Sequence, residues 1–590
     1  MHETLKRSIR RSVAYRVLSK ITDRKRTRKI LNAFYRAAPG KPVQQTDLLS
    51  VVVPVFNANE RYLTKLHESF LQNACPSAEL IFVDDGSDSV ATKTCLSSLE
   101  GKAGSRVITR NQNGGISAAL NDGIKAAKGR WITFLDHDDM IAPHGLNQIA
   151  AALSANPNTQ FLYTDEALID GRSQIIGAFC KPAFDPVLLS GVNYINHFSV
   201  FITEKLREIG PLLPEFDGSQ DYEILLRYLT QVAPDKVLHL PYPAYWWRRT
   251  NQTYSRVNLQ KSLAAARKAL RTHVKPGGFD ANVGPSPSNA ELHRLRFKPS
   301  DGTWPSVGII IPNRDAPALI KSVLRDLYEK NDYPNFKIVV VDDGSSDPKT
   351  LRIYEEICAN HENISVLRKD RPFNFAQSIN EGMAALDTDH FLLLNNDIAV
   401  RDDHGWLKEM VSCMAYDRTG IVGAKLLFID GTLQHAGVVV GQRDLAGHWF
   451  YGAPADTPGP MGRLCVRNSM MAVTGAAMLV SRDCATQVGT WDADNFAVAF
   501  NDVDYCLRAH DLGFRIVWTP HACLTHTGSA TRAAVEDADR TAREEDSLKR
   551  IHRTDKRMDP AFSPFFARTS TGARLCKPAA TPTPRGWFSE

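Results

Sequence analysis

The stretch Ile81-Phe-Val-Asp-Asp-Gly-Ser-Asp88 decides the fold of this chain, because it returns as Val339-Val-Val-Asp-Asp-Gly-Ser-Ser346. Each copy is a short apolar run that predicts a buried strand, and the Asp-Asp-Gly-Ser predicts a turn at the carboxyl end of that strand. Ligands of open α/β sheets bind at that end. One acidic turn alone would be interpreted as a capped loop. Two copies in matching surroundings favour two binding sites.

The surroundings of both copies alternate between strand and helix. The predicted strands cover residues 48–55, 79–83, 106–109 and 130–135, and then 307–311, 337–341 and 391–394. The predicted helices cover a segment ending at residue 73, and then 91–99, 116–128 and 377–386. Strands separated by helices predict a parallel sheet with right-handed crossovers in each half.

Four landmarks keep a nearly constant spacing between the two halves. The offset is 258 positions for the pairs Pro54 and Pro312, and Asp84 and Asp342. It is 259 positions for the pairs Asn121 and Asn380, and Asp138 and Asp397. Such regular spacing indicates an internal repeat, and we interpret it as the duplication of one domain.

The repeat sets the predicted domain boundaries. A basic N-terminal helix covers residues 1–45, a first domain 46–275 and a second domain 305–550. Residues 276–304 are rich in Pro, Gly and Ser and are predicted to be a linker. Residues 551–590 are predicted to be a C-terminal tail without a clear structural signal.

The N-terminal segment is strongly basic, since residues 1–41 hold thirteen Lys and Arg against two acidic residues. Apolar residues fall four apart and predict an amphipathic helix, namely Leu5, Ile9, Val13, Val17 and Ile21. Such a helix can lie on an anionic membrane surface. Two alternatives stay open: a helix packed on its own domain, and a mitochondrial presequence. Charge alone does not separate membrane binding from nucleic-acid binding, and we expect no nucleic-acid partner.

Several functional classes lack their signatures in this sequence. No apolar run approaches the ~18 residues of a membrane span, and the N-terminus lacks the apolar core of a secretory signal. The ten cysteines form no CxxC pair, which predicts reduced thiols in a cytoplasmic protein. No Gly-x-Gly occurs, so a dinucleotide-dependent oxidoreductase is disfavoured.

Three acidic features recur in both halves. The first is the pair of carboxylates at each strand end, which can accept hydrogen bonds from a base or a ribose. The second is Asp136-His-Asp138-Asp139 and its partner Asn395-Asn-Asp397, whose oxygens suit Mg²⁺ or Mn²⁺. The third is a carboxylate at the start of an apolar-periodic helix, Asp221 and Asp502. The alternative for the third feature is a plain N-cap.

Together these features predict transfer of a sugar from a nucleoside-diphosphate sugar. A metal ion can stabilise a diphosphate leaving group in place of a general acid, and the third carboxylate can take the proton of an acceptor hydroxyl. One displacement with one base inverts the anomeric centre, whereas a glycosidase needs two carboxylates that flank the bond.

With these features the chain resembles two tandem glycosyltransferase family 2 domains of the GT-A fold, an α/β nucleotide-diphospho-sugar transferase fold. The first domain carries Val53-Pro-Val-Phe-Asn57, Asp84-Asp-Gly-Ser87, Asn113-Gly-Gly-Ile-Ser-Ala-Ala-Leu-Asn121, Asp136-His-Asp-Asp139, Tyr163-Thr-Asp-Glu166 and Gly218-Ser-Gln-Asp-Tyr222. The second carries Ile311-Pro-Asn-Arg314, Asp342-Asp-Gly-Ser345, Asn374-Phe-Ala-Gln-Ser-Ile-Asn380, Asn395-Asn-Asp397, Gln434-His-Ala-Gly437, Thr474-Gly-Ala476 and Phe500-Asn-Asp-Val-Asp504. It is similar to bacterial enzymes that build O-antigen and other cell-surface polysaccharides.

The resemblance implies a role for each matched residue. Asp221 and Asp502 would be the catalytic bases, and Asp138, Asp397 and His526 would hold a Mn²⁺ or Mg²⁺ ion. The implied nucleotide-sugar contacts are Pro54, Asn57, Asp84, Asp85, Asn121, Asp136, Pro312, Arg314, Asp342, Asp343, Asn380 and Asn396.

Each domain departs from the family pattern at one place. Relatives tend to show His-Trp-Arg where the first domain has Trp246-Trp247-Arg248, and Trp246 cannot ligate a metal. In the second domain Asn395 replaces the first carboxylate of the acidic turn, which leaves more of the metal binding to Asp397 and His526.

The sequence therefore predicts a bifunctional inverting glycosyltransferase that extends a lipid-linked glycan for cell-surface polysaccharide synthesis. We expect it in the cytoplasm, with peripheral contact to the inner face of the plasma membrane. The alternative is one catalytic domain beside a non-catalytic module that binds glycan or nucleotide, for which the first domain is the candidate.

Overall fold

The protein is described by a computed structural model that covers residues 13–37, 47–102, 104–249, 258–528, 538–580 and 582–587. Of residues 13–22, only the backbone is described. In these parts of the chain no helix combines the length and the apolar character that crossing a membrane requires.

The first domain alternates strands and helices as the apolar pattern predicts. Its strands are β1 Leu49–Val55, β2 Ala78–Asp84, β3 Ser105–Thr109, β4 Trp131–Phe134, β5 Met140–Ile141, β6 Phe161–Ile169, β7 Ile175–Phe179, β8 Ser199–Ile202 and β9 Val237–Arg248. The helices, preceded by α1 Val13–Ala37, are α2 Glu60–Asn73, α3 Val90–Leu99, α4 Ile116–Ala126, α5 Gly145–Ala155, α6 Pro186–Gly191, α7 Thr203–Glu208, α8 Gln220–Leu229 and α9 Leu259–His273.

The second domain repeats this layout after a hairpin of β10 Phe279–Ser286 and β11 Asn289–Pro299. Its strands are β12 Val307–Asn313, β13 Phe336–Asp343, β14 Ile364–Lys369, β15 His390–Leu394, β16 Ile398–Val400, β17 Thr419–Leu427, β18 Leu433–His435, β19 Val438–Val440, β20 Ala446–His448, β21 Asn468–Met470, β22 Ala477–Ser481 and β23 Arg515–His526. The helices are α10 Pro317–Glu329, α11 Pro348–Asn360, α12 Phe375–Ala384, α13 Trp406–Ser412, α14 Arg482–Val488, α15 Asn501–Asp511 and α16 Ala538–His552.

The two main sheets have the same strand order. The first runs β3-β2-β1-β4-β8-β6-β9-β5, and the second runs β14-β13-β12-β15-β22-β17-β23-β16. The first four strands of each order pair in parallel, as predicted for strands linked by helices. The rest of each sheet is mixed, since β8 and β22 run antiparallel to both of their neighbours. The parallel arrangement is therefore confirmed for the predicted strands, and the antiparallel pairings involve strands beyond β4 and β15 that the sequence did not predict.

The segment 276–304 connects the domains, but it is not an irregular linker. Its two strands form an antiparallel hairpin. Leu295 and Phe297 are buried, while Arg296 between them and Lys298 after them are exposed. This alternation is the period of a strand with one covered face, and the density of Pro and Gly around it hides the signal in the sequence.

The C-terminal tail is also folded and joins the two domains. Phe562 and Phe565 are buried in the core. The Asp559 carboxylate accepts a hydrogen bond from Val440 N of the second domain (2.9 Å). Arg585 exchanges backbone hydrogen bonds with His239 of the first domain, at 3.1 and 2.8 Å.

The described side chains of α1, residues 23–37, pack on the first domain and on the tail. Leu31, Phe34 and Tyr35 are buried, and the Phe34 ring lies 5.2 Å from Tyr242 and 5.0 Å from Phe565, centroid to centroid. This part of the helix matches the alternative of a helix packed on its own domain. The predicted stripe from Leu5 to Ile21 lies outside the described side chains.

Candidate active site

The strand-end carboxylates organise the loops that follow them. Asp84 accepts a hydrogen bond from Ser87 N (3.0 Å), and Asp342 accepts one from Ser345 N (2.9 Å). Asp85 accepts from the backbone nitrogens of Gly114 and Gly115 at 2.9 and 2.8 Å. These bonds draw the ends of neighbouring strands into one loop cluster at the carboxyl edge of the sheet.

In both domains an arginine forms an ion pair with the second carboxylate of the strand-end pair, Asp85 or Asp343. Arg110 Nε lies 2.8 Å from Asp85, and Arg371 Nη2 lies 2.9 Å from Asp343. Because both carboxylates are buried, they need such partners to remain charged. A nucleotide that uses Asp85 or Asp343 would have to share the carboxylate with its arginine.

The polar positions after β1 and β12 also hold their own loops. Asn57 Oδ1 accepts from Asp88 N and Ser89 N at 2.9 and 3.0 Å. Pro54 and Pro312 are buried within β1 and β12, whereas Arg314 is exposed. Asn57 and Arg314 are therefore the residues of this set with surface that a ligand could contact.

Asn121 and Asn380 form the same clamp in their own domains. The Asn121 amide pairs with the backbone O and N of Leu212, at 2.9 and 2.8 Å. The Asn380 amide pairs with the backbone O and N of Trp491, also at 2.9 and 2.8 Å. Each side chain thus fixes the segment that leads toward the base-bearing helix, which explains its recurrence in the sequence.

The acidic turns have matching geometry. Asp139 N donates to Asp136 O at 3.0 Å, and Ile398 N donates to Asn395 O at 3.2 Å. Asp138 and Asp397 therefore occupy the same place in equivalent turns. In the second domain, Asn396 Nδ2 donates to Asn313 Oδ1 (2.6 Å).

Asn313 continues this connection toward the strand-end carboxylate. Asn313 Nδ2 donates to the Tyr354 hydroxyl (2.6 Å), and that hydroxyl donates to Asp342 (2.7 Å). The structure thus brings Asn396 and Asp342 together through two intermediate side chains.

The second domain pairs the last carboxylate of its turn with a histidine. His526 Nε2 lies 3.0 Å from Asp397 Oδ1, and its Nδ1 lies 2.6 Å from Gln434 Oε1. Because that amide oxygen can only accept, Nδ1 carries a proton, which leaves Nε2 as the nitrogen that faces Asp397 and that a metal ion would use. A carboxylate oxygen and an imidazole nitrogen are both ligands of Mn²⁺-type ions.

This pair fits a divalent cation only as a partial site. Among the residues that the structure describes, no group of three His, Cys, Asp or Glu side chains could hold a metal. Asp397 and His526 supply two ligands, and diphosphate oxygens of a bound donor would supply others, as is common for Mg²⁺ in nucleotide enzymes.

The first domain presents a different constellation at this place. Ala399 pairs with Thr525, and Met140, which follows the equivalent turn by the same number of residues, pairs with Trp246. Trp247 therefore stands in the register position of His526, one residue beyond the place we predict from the sequence. The prediction that Trp246 fills the histidine position is wrong by one residue, because pattern matching cannot see the ladder register.

The predicted bases lie on matching helices, in the first turn of α8 and α15. The N-caps are Ser219 and Phe500, so neither Asp221 nor Asp502 is an N-cap. Asn193 Nδ2 donates to Asp221 (3.2 Å), and Gly475 N donates to Asp502 (2.9 Å).

Both predicted bases lie at the same sheet edge as the acidic turns. Gly475 precedes Ala476, whose carbonyl accepts from Asn395 N of the acidic turn (3.0 Å). In the first domain, burial raises the pKa of Asp221, His197 lowers it, and the carboxylate of Asp136 raises it further. The structure thus brings Asp221 near Asp136, and Asp502 near the turn of Asp397.

A buried clamp orients each helix that carries a predicted base, α8 and α15, and sequence reasoning missed it. Asp504 accepts from Arg508 Nη2 (2.7 Å) and contacts His552 Nε2 at 2.9 Å. The first domain repeats the device with Glu223, Arg227 and His273. The carboxylate and arginine at i and i+4 are visible in the sequence, but the histidine arrives from a distant helix.

His197 is the second residue that sequence reasoning missed. Its ring stacks on Tyr245 with centroids 4.2 Å apart, its Nδ1 lies 3.6 Å from Glu166, and its Nε2 lies 3.9 Å from Asp136. Burial lowers the pKa of His197, but the neighbouring carboxylates, Glu166 first, raise it above the ordinary value. Lys181 Nζ completes the group at 2.6 Å from Glu166.

Two protein-family models match the chain. Residues 50–174 match "Glycosyl transferase family 2", and residues 305–545 match "Glycosyltransferase like family 2". Together they cover more than half of the sequence, and each match falls within one of the two domains.

Two curated proteins align with most of this chain. The protein y4gI of Sinorhizobium fredii is 35% identical over 535 residues, which cover 89% of this chain and 58% of that protein. The O-antigen biosynthesis protein RfbC of Myxococcus xanthus is 33% identical over 492 residues, which cover 82% of this chain and 38% of that protein. The chain thus spans less than two thirds of the length of either relative.

Solved structures also resemble part of the chain. One is the mannosyltransferase PcManGT of Pyrobaculum calidifontis in complex with GDP-mannose and Mn²⁺. It is 18% identical, with a TM-score of 0.33, and the alignment covers 44% of this chain and 68% of that one.

Proposed function

Because this chain belongs to glycosyltransferase family 2 and carries two of its domains in tandem, we propose that it is a bifunctional inverting glycosyltransferase. Each GT-A domain would transfer one sugar from a nucleoside-diphosphate sugar to a growing glycan. The observation that carries the proposal is the same in both domains: a helix-borne aspartate, Asp221 or Asp502, lies at the sheet edge that holds the acidic turn.

The reaction follows from the chemistry of these groups. Asp221 and Asp502 would each take the proton of an acceptor hydroxyl while that oxygen attacks the anomeric carbon. The bond to the diphosphate breaks on the opposite face, so the configuration inverts. The bonds from Asn193 and Gly475 would hold the carboxylates in place for this transfer.

The second domain is the one whose residues fit a divalent cation. Asp397 and His526 would hold Mn²⁺ or Mg²⁺, which when bound neutralises charge that develops on the diphosphate leaving group. Gln434 would orient the His526 ring by accepting a hydrogen bond from its Nδ1–H. Asp342, Asp343 and Arg314 would contact the nucleotide at the adjacent strand end.

We further propose that the acceptor is a lipid-linked oligosaccharide of cell-surface polysaccharide synthesis, extended at the cytoplasmic face of the membrane. The name of the Myxococcus relative, an O-antigen biosynthesis protein, supports this class of product. The basic segment 1–41 supports contact with anionic lipid. Co-sedimentation with anionic and with neutral vesicles, compared with a variant lacking residues 1–22, which keeps the packed residues Leu31, Phe34 and Tyr35, tests this contact, and a DNA duplex serves as the control polyanion.

A second candidate function is transfer by the second domain alone, with the first domain as a binding module for nucleotide or glycan. The observation that favours it is Trp247 in the register position of His526. Retention of all product in Asp221→Asn would support this candidate.

A donor screen tests the proposed function directly. The intact protein is incubated with nucleoside-diphosphate sugars and synthetic lipid-linked acceptors, and the products are identified by mass spectrometry. We expect two successive sugar additions. Of the variants Asp221→Asn and Asp502→Asn, the one in the later-acting domain should stop after one addition, and the other should extend only an acceptor that already carries the first sugar. Proton NMR of the product then reports the anomeric configuration, and retention of configuration would contradict the single-base mechanism.

A further inference from the structure

We propose that this chain binds one divalent cation, in its second domain, and that the first domain holds its nucleotide without one. The inference rests on the proposed function, because it assumes that both domains bind a nucleoside diphosphate. It departs from the prediction that Asp138 is a metal ligand.

The two domains place their acidic turns against the facing strand in the same register. Asp138 and Asp397 share a position in equivalent turns, so the facing strand, β9 or β23, is where each turn could gain an imidazole ligand. In the second domain that ligand is His526, 3.0 Å from Asp397. In the first domain the same register position holds Trp247, whose indole nitrogen has no lone pair to offer.

The residue after Trp247 adds a difference in charge between the two acidic turns. Arg248 follows Trp247, and its backbone N donates to Asp139 (2.6 Å) while its Nε donates to Asp138 O (2.6 Å). The matching residue in the second domain is Thr527, whose backbone N donates to Asp397 O (3.0 Å). A neutral residue beside one acidic turn is thus replaced by an arginine beside the other.

The Arg248 guanidinium is fixed in this place. The residue is fully buried, and its Nη1 donates to Asp170 O at 2.9 Å. Its guanidinium also lies 4.4 Å from the centre of the Tyr62 ring. A buried cation that cannot leave lowers the affinity of the adjoining carboxylates for a second cation, since like charges interact strongly away from water.

Asp139 is also unavailable as a substitute ligand. It is buried, and its two carboxylate oxygens accept from Arg248 N and from the Tyr245 hydroxyl, each at 2.6 Å. A metal at the first acidic turn would therefore find Asp138 and Asp136, but no imidazole from the facing strand β9 and no free third carboxylate; among the described residues no three such side chains converge there.

The first domain instead directs an imidazole at this turn from another strand. The His197 side chain is 15% exposed, and its Nε2 faces Asp136 at 3.9 Å. The equivalent position in the second domain is Ala476, because β8 and β22 pair identically with β4 and β15. We assign His197 as the residue that meets the donor phosphates in the first domain, where it can donate a hydrogen bond to a phosphate oxygen.

The test counts bound Mn²⁺ by electron paramagnetic resonance. The full chain is titrated with Mn²⁺ in the presence of UDP, GDP, CDP or dTDP, and nucleotide binding is measured in parallel by calorimetry with and without EDTA. Asp397→Asn and Asp138→Asn are matched variants, since each changes the same position in its own domain. Circular dichroism melting verifies that both variants are folded.

We expect one tightly bound Mn²⁺ per chain, lost in Asp397→Asn and kept in Asp138→Asn. One nucleotide should still bind in EDTA, at least tenfold more weakly in His197→Ala. Two Mn²⁺ per chain, or a single Mn²⁺ lost in Asp138→Asn, would overturn the inference while leaving the proposed function intact. Absence of nucleotide binding for all four compounds would contradict the proposed function as well as the inference.

Discussion

Replacing Asp504 by alanine should loosen the helix that carries the proposed base of the second domain. The Asp504 side chain is 3% exposed and accepts from Arg508 and from His552, itself 4% exposed. Removing one partner of a buried ion pair costs roughly 3–5 kcal/mol. Arg508 is 28% exposed and keeps its bond to Val488 O (3.1 Å), so we expect the lower end, about 3 kcal/mol.

Urea unfolding followed by circular dichroism measures this loss as a lower midpoint at unchanged slope. Because Asp502 lies two residues before Asp504 on α15, kcat of the transfer by the second domain should also fall, with a smaller change in KM for the donor. Glu223→Ala is the matched variant in the first domain, and it should slow the transfer by that domain instead. An Asp504→Ala protein that unfolds at the wild-type urea concentration and keeps the transfer by the second domain would refute this reasoning.

Three further predictions concern other parts of the molecule. Burial raises the pKa of Asp221, and the base must be ionised to take a proton. Transfer by the first domain should therefore lose activity, as the pH falls, at a higher pH than an ordinary aspartate with a pKa near 3.9 would give. A pH–rate profile that is flat down to pH 4 would contradict this. Phe34→Ala should lower the free energy of unfolding by roughly 3–5 kcal/mol, because the ring is 3% exposed between the first domain and the tail; a change below 1 kcal/mol in urea titration would show that α1 does not pack there. Asn380→Ala should cost about 1–3 kcal/mol by leaving the backbone N and O of Trp491 without their amide partner, and unchanged protection of Trp491 N in hydrogen exchange would argue against the clamp.

The fold could be predicted from the sequence where local patterns decide it. Apolar runs that end in Asp-Asp-Gly-Ser identify β2 and β13, and the constant offset identifies a second domain. The antiparallel strands beyond β4 could not be predicted, because their pairing depends on contacts between residues far apart in the chain. In the hairpin at 279–299, apolar residues alternate with charged ones around Leu295 and Phe297, which is the pattern of a strand. The frequent Pro and Gly residues nearby hide this pattern in the sequence.

The candidate site was predictable in its acidic residues and not in their surroundings. Asp136, Asp221, Asp397 and Asp502 recur in motifs, and the structure gathers them at the expected sheet edges. His197 belongs to no repeated motif, so only the structure places it beside Asp136. The register of Trp247 likewise depends on a β-ladder that no spacing rule reveals.

The central claim is that each domain transfers a sugar with its own aspartate as the base. The most direct measurement compares the wild type with the double variant Asp221→Asn/Asp502→Asn, which keeps size and hydrogen-bonding shape but removes both proton acceptors. We predict that the double variant binds nucleoside diphosphates with wild-type affinity in calorimetry, yet forms product at least 100-fold more slowly, in line with the ~10²–10⁴-fold contribution of a general base. Sugar transfer by the double variant at the wild-type rate would contradict the claim.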